Sequence, residues 1–262
     1  MKVRQMKSGL RQGPWLVALV AAFVMGPADA RAQEETPTAE RDAAPAFTVD
    51  GRMVLHAVMS LGDVHLRETA DVLTLLAGTG AARSADWARV RSTLARAPRR
   101  TVPAVHWFAR PDGTYWTLER GREPASLSDR PYFPRVLAGE TVIGQLVVSR
   151  SSKRNTAIVA VPVIEAGEVV GVLGSSVHLD SLSALVRREL GGLQPGLFFF
   201  AIDDEPLGAL HSDSALIFTE PMELGDEGMR RAFTEILAGE EGAVDYTFRG
   251  SPRTVLYRRS PV

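Results

Sequence analysis

Apolar residues in the first third of the chain recur at helical spacing. Over residues 49–78 they fall mostly three or four positions apart, and charged residues occupy the positions between them. This pattern predicts one long amphipathic helix. A shorter helix is predicted over about 85–95, and Pro98 ends it because proline cannot continue a helix.

The pattern then changes to the apolar runs that are typical of strands. Two strands are predicted over 102–109 and 114–119. They are joined by the Pro-Asp-Gly turn at 111–113, in which glycine readily adopts a positive φ. A loop is predicted over 121–129, and a short helix over 131–138 follows it.

Three further apolar segments, separated by polar turns, predict three consecutive antiparallel strands. They cover 141–149, 156–164 and 169–177. A helix is predicted over 180–190. Its N-cap is expected to be Asp180, because a short acidic side chain accepts hydrogen bonds from the free N–H groups of the first turn.

The residues from 191 onward repeat this plan. The tetrapeptide Leu-Ala-Gly-Glu lies between a predicted helix and a predicted strand in both units, at 137–140 and 237–240. The sequence therefore predicts an α+β protein, in which a long helix and first lobe over 49–190 precede a second lobe over 191–262. The elements predicted in the second lobe cover 197–204, 208–212, 228–238, 243–248 and 253–259.

The second lobe stops short of its counterpart. The first lobe has a third strand at 169–177, whereas the sequence ends at Val262, just after the matching hairpin. We expect the second lobe to be incomplete in this sequence. Either its sheet lacks the last strand, which would leave an exposed edge, or the protein continues beyond the given sequence.

The N-terminus has the pattern of a signal peptide. Basic residues precede an apolar run over 15–25, which has the length of a signal-peptide core and is short for a membrane span. Two small-x-small patterns predict cleavage after Ala30 or Ala32, with an uncleaved membrane anchor as the alternative. The sequence thus predicts a signal peptide over 1–32, a disordered linker over 33–48, and a periplasmic or secreted protein.

Composition argues against several classes of function. Thirty basic and 31 acidic residues give a net charge of −1, which argues against a nucleic-acid surface. Cysteine is absent, so the chain has neither a disulfide frame nor a thiolate nucleophile. The five histidines lack metal-ligand spacing, and no G-x-S-x-G is present, so neither a metal, a cofactor nor an enzyme is predicted.

An ordered set of short motifs resembles the double Cache (dCache) family of PAS-like sensor domains. These domains are the extracytoplasmic input modules of bacterial chemoreceptors, histidine kinases and cyclic-di-GMP enzymes. The resemblance covers about 49–262 and implies two PAS-like lobes, with a small-molecule ligand in the first, membrane-distal lobe. The motifs are D-R-P-Y-F at 129–133, A-G-E at 138–140, A-V-P-V at 160–163, V-V-G-V-L-G at 169–174 and L-D at 179–180.

Arg130 is the first candidate for a ligand contact. It stands at the start of the predicted short helix, where free N–H groups and a guanidinium together suit an anion. The resemblance also implies a ligand-binding arginine in this motif. The alternative is a structural ion pair between Arg130 and one of the nearby acidic residues Asp129, Glu119 and Glu123.

Aromatic and hydroxyl side chains complete the predicted site. The resemblance implies that Tyr132 lines the pocket, and Phe133, Trp107, Tyr115, Ser149 and Ser176 are further candidates. Of Trp107 and Trp116, one is expected to face the ligand and the other to pack in the core, since strand residues alternate between faces.

A small carboxylate is the predicted ligand. Family members that bind amino acids typically have a tyrosine before the arginine and an aspartate on the last strand, where this chain has Ala125 and Ser176. Without that aspartate, a bound ammonium group would lack its charge partner. The carboxylate would bind Arg130, with hydroxyl groups from Tyr132 and the two serines.

The sequence therefore predicts an exported small-molecule sensor for signal transduction or chemotaxis. A membrane-bound signalling protein and a homodimer through the long helix are its predicted partners. Two alternatives stay open. One is an interaction module with filled lobes that docks on a membrane partner, and the other is the input part of a truncated transmembrane receptor.

Overall fold

The computed structural model describes the backbone of residues 16–22, and residues 50–96, 102–193 and 196–260 with their side chains. Its strands are β1 Leu16–Ala22, β2 Ala104–Ala109, β3 Thr114–Thr117, β4 Gly121–Ser126, β5 Val142–Val148, β6 Asn155–Glu165, β7 Glu168–His178, β8 Leu197–Ile202, β9 Gly208–His211, β10 Glu241–Phe248 and β11 Ser251–Arg259. Its helices are α1 Gly51–Ala77, α2 Gly80–Arg83, α3 Trp87–Leu94, α4 Phe133–Leu137, α5 Leu179–Glu189, α6 Pro221–Leu224 and α7 Glu227–Ala238.

The long helix α1 forms as its apolar spacing predicts. It runs for 27 residues, and the Asp50 side chain caps its start by accepting a hydrogen bond from the backbone N–H of Arg52 at 2.9 Å. Leu66 and Leu73 lie on its buried face and belong to the largest apolar cluster among the described residues. Burial of this face, rather than intrinsic propensity, fixes the helix against the first sheet.

The shorter predicted helix forms as α3, and a short helix that was not predicted, α2, precedes it. Helices α2 and α3 are separated at Ala85, whose φ of 51° lies in the left-handed region and cannot continue a right-handed helix. The side chain of Asp86 then caps α3 by accepting from the N–H of Ala88 at 3.1 Å. The predicted bounds of 85–95 therefore hold for α3 only.

The first sheet has six antiparallel strands in the order β4-β3-β2-β7-β6-β5. The three consecutive strands β5, β6 and β7 are confirmed, and so is the hairpin between β2 and β3. The loop predicted over 121–129 is wrong in its first part, because β4 pairs with β3 there. Gly121 and Pro124 signalled a loop, but an edge strand accommodates them because one of its sides forms no ladder.

The two faces of the first sheet carry different helices. Phe108 and Leu173 face the cluster that α1 builds, whereas Trp107, Ile158 and Val172 face α4. Strand residues alternate between faces, so each strand of this sheet contributes to both layers. The layer beneath α4 contains the predicted site.

Helix α5 starts one residue earlier than predicted. Its N-cap is His178, and Asp180 lies in the first turn instead of capping it. The Asp180 carboxylate accepts from the N–H of Ser181 at 2.7 Å and pairs with Arg154 at 2.5 Å. The aspartate therefore still satisfies a free N–H group of the helix start, from inside the helix.

The second sheet has five strands in the order β10-β11-β1-β8-β9. The predicted strand pair β8 and β9, the helix α7 and the hairpin of β10 and β11 are all present. Phe200, Phe233 and Tyr246 form the aromatic part of its core, with the rings of Phe200 and Phe233 5.5 Å apart.

The middle strand of the second sheet comes from the N-terminal segment. Strand β1 pairs antiparallel with β11 on one side and with β8 on the other. It takes the place that β7 has in the first sheet, where the sequence predicts a missing strand. The same residues are predicted to be a signal-peptide core. The predicted cleavage sites and the linker over 33–48 lie outside the described residues.

Candidate ligand-binding site

Arg130 lies in a turn that precedes α4, not at the start of the helix. Its carbonyl accepts from the N–H of Phe133 at 3.0 Å, and the N-cap of α4 is Tyr132. Helix α4 has five residues and no side-chain cap. The helix-dipole argument for anion binding at Arg130 is therefore wrong, and any attraction for an anion must come from the guanidinium itself.

The guanidinium of Arg130 is half-buried and bonded to a backbone carbonyl. Its Nη2 donates to the carbonyl oxygen of Val148 at 2.8 Å. The acidic partners expected in the structural alternative are bound elsewhere, since Asp129 pairs with Arg150 at 2.6 Å and Glu123 with Arg120 at 3.0 Å. Among the described residues, no carboxylate forms an ion pair with Arg130.

A second arginine, Arg150, stands beside the first and was missed by the sequence analysis. Both of its terminal nitrogens bind the Asp129 carboxylate, at 2.7 and 2.6 Å, and it also contacts the carbonyl oxygen of Ser126. These bonds to Asp129 raise the pKa of Arg150. Burial, together with the charge of Arg150, lowers the pKa of Arg130, so an anion here would relieve both effects.

The predicted aromatic residues meet in one layer beneath α4. Trp107, Tyr115, Tyr132 and Phe133 are each 1–2% exposed and share a single apolar cluster. The ring centroids of Trp107 and Tyr132 lie 6.3 Å apart. Burial raises the pKa of both tyrosines, so their hydroxyl groups stay protonated at neutral pH and can donate to an anion.

The two tryptophans of the first hairpin occupy opposite faces, as alternation requires. Trp107 belongs to the layer beneath α4, whereas Trp116 packs on the α1 side. There its ring stacks on Trp87 at 6.2 Å and on Phe108 at 6.1 Å. Trp107 is therefore the tryptophan of the candidate site, and Trp116 is a core residue.

The two predicted serines differ in their hydrogen-bond partners. The hydroxyl of Ser176 accepts from the indole N–H of Trp107 at 3.2 Å. The hydroxyl of Ser149 lies 3.2 Å from that of Ser151 and accepts from the N–H of Ser152. Ser176 thus belongs to the aromatic layer, whereas Ser149 stabilises the turn between β5 and β6.

The tight packing of Trp107 against β7 was also not predicted from the sequence. A Cβ atom placed on Gly174 would lie 2.1 Å from Cζ2 of the indole, so the ring lies flat against β7. On the other face of the same strands, His106 and Ser175 stand opposite each other. Nδ1 of His106 and the hydroxyl of Ser175 are buried there, and within the described residues neither has a hydrogen-bond partner.

The acidic turn at 203–205 has structural contacts. Asp203 accepts from the N–H of Leu207 at 2.9 Å, and Asp204 pairs with Arg259 at 2.8 Å.

Within the described residues, no group of three or more acidic and histidine side chains could hold a metal ion. In the same part of the chain, no helix has the length and apolarity that crossing a bilayer requires.

A long helix followed by two antiparallel-sheet lobes is the fold of double Cache sensor domains, and the resemblance seen in the sequence is confirmed at the level of the fold. No protein-family model matches the chain, and no curated protein matches it. The fold is instead recognised among solved structures, which are sensory and ligand-binding domains.

Three of these structures illustrate the likeness. The ligand-binding domain of the Pseudomonas aeruginosa amino acid chemoreceptor PctC, in complex with GABA, is 17% identical with a TM-score of 0.52, over 76% of this chain and 92% of that one. The Pseudomonas fluorescens chemoreceptor CtaA domain with L-isoleucine is 16% identical with a TM-score of 0.58, over 79% and 90%. The sensor domain of the V. cholerae histidine kinase DctB is 16% identical with a TM-score of 0.53, over 78% and 94%.

Proposed function

We propose that this chain is an exported small-molecule sensor domain of a signal-transduction or chemotaxis system, and that its first lobe binds a small carboxylate. The observation that carries the proposal is the state of Arg130. Its half-buried guanidinium forms no ion pair among the described residues, while the neighbouring acids are bound to other arginines. A partly desolvated cation of this kind favours an anionic ligand, which arginine can bind through two nitrogens.

The surrounding side chains favour a carboxylate over an α-amino acid. An ammonium group would need a free acid nearby, but Asp129 and Glu123 are already paired, and the last strand offers Ser176 instead. The neutral hydroxyl of Tyr132 and the Trp107 ring supply a donor and an apolar wall. A ligand must enter beside Arg130, since the four aromatic side chains are packed.

The proposal of a sensor, rather than an enzyme, draws support from the shared fold. One solved domain of this fold is in complex with GABA and another with L-isoleucine, and a third is the sensor domain of a histidine kinase. Binding of a small molecule in such a domain changes its shape or assembly, and the signal passes to a membrane-bound partner.

Export by a signal peptide over 1–32 is part of the proposal. The basic residues, the apolar run and the cleavage patterns support it. Cleavage after Ala30 or Ala32 would remove strand β1 from the folded protein. A single molecule therefore cannot have both a cleaved signal peptide and strand β1 in its second sheet. The intact mass of the chain recovered from a periplasmic extract decides between them, because cleavage at Ala30 and full retention differ by some thirty residues.

A homodimer through α1 is proposed as well. Met53, Val64 and Leu75 are exposed on α1 at 69%, 46% and 75%. Each follows the previous one by eleven residues, or about three helical turns, so the three side chains lie along one face. A second copy of α1 would cover this apolar stripe.

A thermal-shift titration of the full chain tests the ligand class. Succinate, lactate, pyruvate, alanine and ethanolamine serve as probes, and a ligand at a hundred times its Kd stabilises a fold by about 2.7 kcal/mol. We expect a carboxylate to raise the Tm and Arg130→Gln to weaken that binding about ten- to a hundredfold, as the loss of a charged hydrogen bond predicts. Arg122→Gln, on the exposed edge strand β4, is the matched control.

Three outcomes would contradict the proposal. Stabilisation by alanine but not by the carboxylates would show that the site provides a partner for an ammonium group. Equal stabilisation of Arg130→Gln and wild type would remove Arg130 from the site. A folded chain that no probe stabilises would favour the interaction module with filled lobes.

A further inference from the structure

The second lobe contains its own cavity, apart from the Arg130 site. It has a volume of about 50 Å³ and lies between the second sheet and helices α6 and α7. Phe200, Phe233, Phe248 and Met229 give it a mainly apolar wall. Of the described residues that line it, none is acidic.

One cation, Arg253 of β11, lies at this apolar wall. Its guanidinium lies 5.1 Å from the ring centre of Phe198 and 5.0 Å from that of Phe248, which holds it by cation–π contact on two sides. Its Nε is buried and has no hydrogen-bond partner among the described residues. A buried N–H donor without an acceptor is costly, so this geometry leaves a binding position for an anion.

The acids nearest in sequence do not occupy that position. Asp245 accepts a hydrogen bond from Thr254 at 2.6 Å, and Glu241 pairs with Arg258 at 3.6 Å. Neither residue lines the cavity. Among the described residues, no carboxylate forms an ion pair with Arg253; its guanidinium interacts with the Tyr246 hydroxyl, and its Nε is left without an acceptor.

Two neutral polar side chains line the same cavity. Burial lowers the pKa of His211 to about 4, so the ring is neutral at pH 7. Its Nδ1 accepts from the N–H of Asp213 at 2.8 Å, which leaves the hydrogen on Nε2. Burial also raises the pKa of Tyr246, which therefore keeps its hydroxyl hydrogen. A histidine N–H and a tyrosine O–H are both donors, and donors suit an anion.

We propose that this cavity is a second ligand site, which binds a short unbranched carboxylate such as propionate or butyrate. The carboxylate binds the guanidinium of Arg253, and the alkyl chain contacts the phenylalanine rings and Met229. A cavity holds one water-sized group in about 10–15 Å³, so this one has room for roughly three to five such groups, which restricts the ligand to a short chain. The site is independent of Arg130 and stands even if the first lobe binds nothing.

Methyl NMR on the full chain, labelled at the methionine methyl groups, tests this site directly. We expect propionate and butyrate to shift the Met229 resonance in a saturable manner and to leave Met53, on α1, unchanged. Arg253→Gln should weaken the binding at least tenfold. Arg249→Gln is the matched control, because Arg249 also lies 5.0 Å from the Phe248 ring but does not line the cavity. Arg130→Gln should bind normally.

Butyramide provides a test that does not depend on any variant. It has the shape of butyrate without the charge, and we expect it not to shift Met229. Equal binding of amide and acid would overturn the proposal. So would an unchanged affinity in Arg253→Gln, a loss of the Met229 shift in Arg130→Gln, or the absence of a saturable shift in the folded wild-type chain.

Discussion

Arg130 and Asp129 are neighbours in sequence, yet their side chains have different partners. Asp129 binds Arg150, which follows β5, with two short hydrogen bonds. The bidentate geometry explains the preference, because a guanidinium and a carboxylate aligned edge to edge form the stronger pair. Among the described residues, Arg150 therefore has a carboxylate partner, whereas Arg130 beside it donates only to the carbonyl oxygen of Val148.

The contact between Trp107 and Gly174 yields a prediction at the residue scale. Gly174→Ala would place a Cβ atom 2.1 Å from the indole, so the ring must move or the strands must separate. We expect a destabilisation of about 1–3 kcal/mol, typical of overpacking, with loss of the hydrogen bond to Ser176. Urea unfolding followed by tryptophan fluorescence measures the free energy of unfolding of each variant.

Gly80→Ala is the control for that substitution. A Cβ atom on Gly80 meets nothing within 4 Å, so we expect unchanged or slightly higher stability. If Gly174→Ala proved as stable as the wild type, the packing of the indole against β7 would be disproved.

Short edge elements of this fold depend on their neighbours more than on their own sequence. Strand β4 contains a proline and begins with a glycine, but β3 accepts it as an edge partner. Helix α1, by contrast, has an apolar face long enough to be recognised from spacing alone. Long periodic elements are therefore predictable, whereas short edge elements are not.

The apolar stripe on α1 gives a prediction at the scale of the element. Leu75→Glu would put a charge into the proposed dimer interface, and we expect the variant to be monomeric at concentrations where the wild type is dimeric. Light scattering coupled to size-exclusion chromatography measures the mass of each. Ile164→Glu, which changes an equally apolar residue exposed at 46% on β6, is expected to leave the mass unchanged. A wild-type chain that stays monomeric throughout would contradict the proposed dimer.

At the scale of the whole molecule, β1 links export to folding. The strand forms ladders with both β8 and β11, which would otherwise have no common neighbour. We expect a chain that starts at residue 33 to exchange the amide hydrogens of β8 and β11 at least about tenfold faster than the full chain, with β6 and β7 unchanged. Hydrogen-exchange mass spectrometry measures this for each strand. Equal protection in the two chains would show that β1 does not stabilise the second sheet.

The sequence by itself determined the elements whose pattern reports burial directly. These include α1, the strands β5 to β7, the hairpin around Gly113 and the repeated plan of the second lobe. It also yielded the resemblance to double Cache domains and the first-lobe residues Arg130, Tyr132 and Trp107, which the structure brings to the same region. Such features follow from local spacing, because the apolar residues of an element recur with its own period and so mark its buried face.

Only the tertiary structure decided which distant segments meet. Three examples are the pairing of Asp129 with Arg150, the position of Trp107 rather than Trp116 in the layer beneath α4, and the position of β1 in the second sheet. Each depends on residues far apart in the chain or on a choice between two faces of a strand. The cavity around Arg253 arises from strands and helices that approach only on folding. Hydrogen bonding and burial select such pairings by the fit of the two segments in space. The spacing of residues along the chain does not predict that fit.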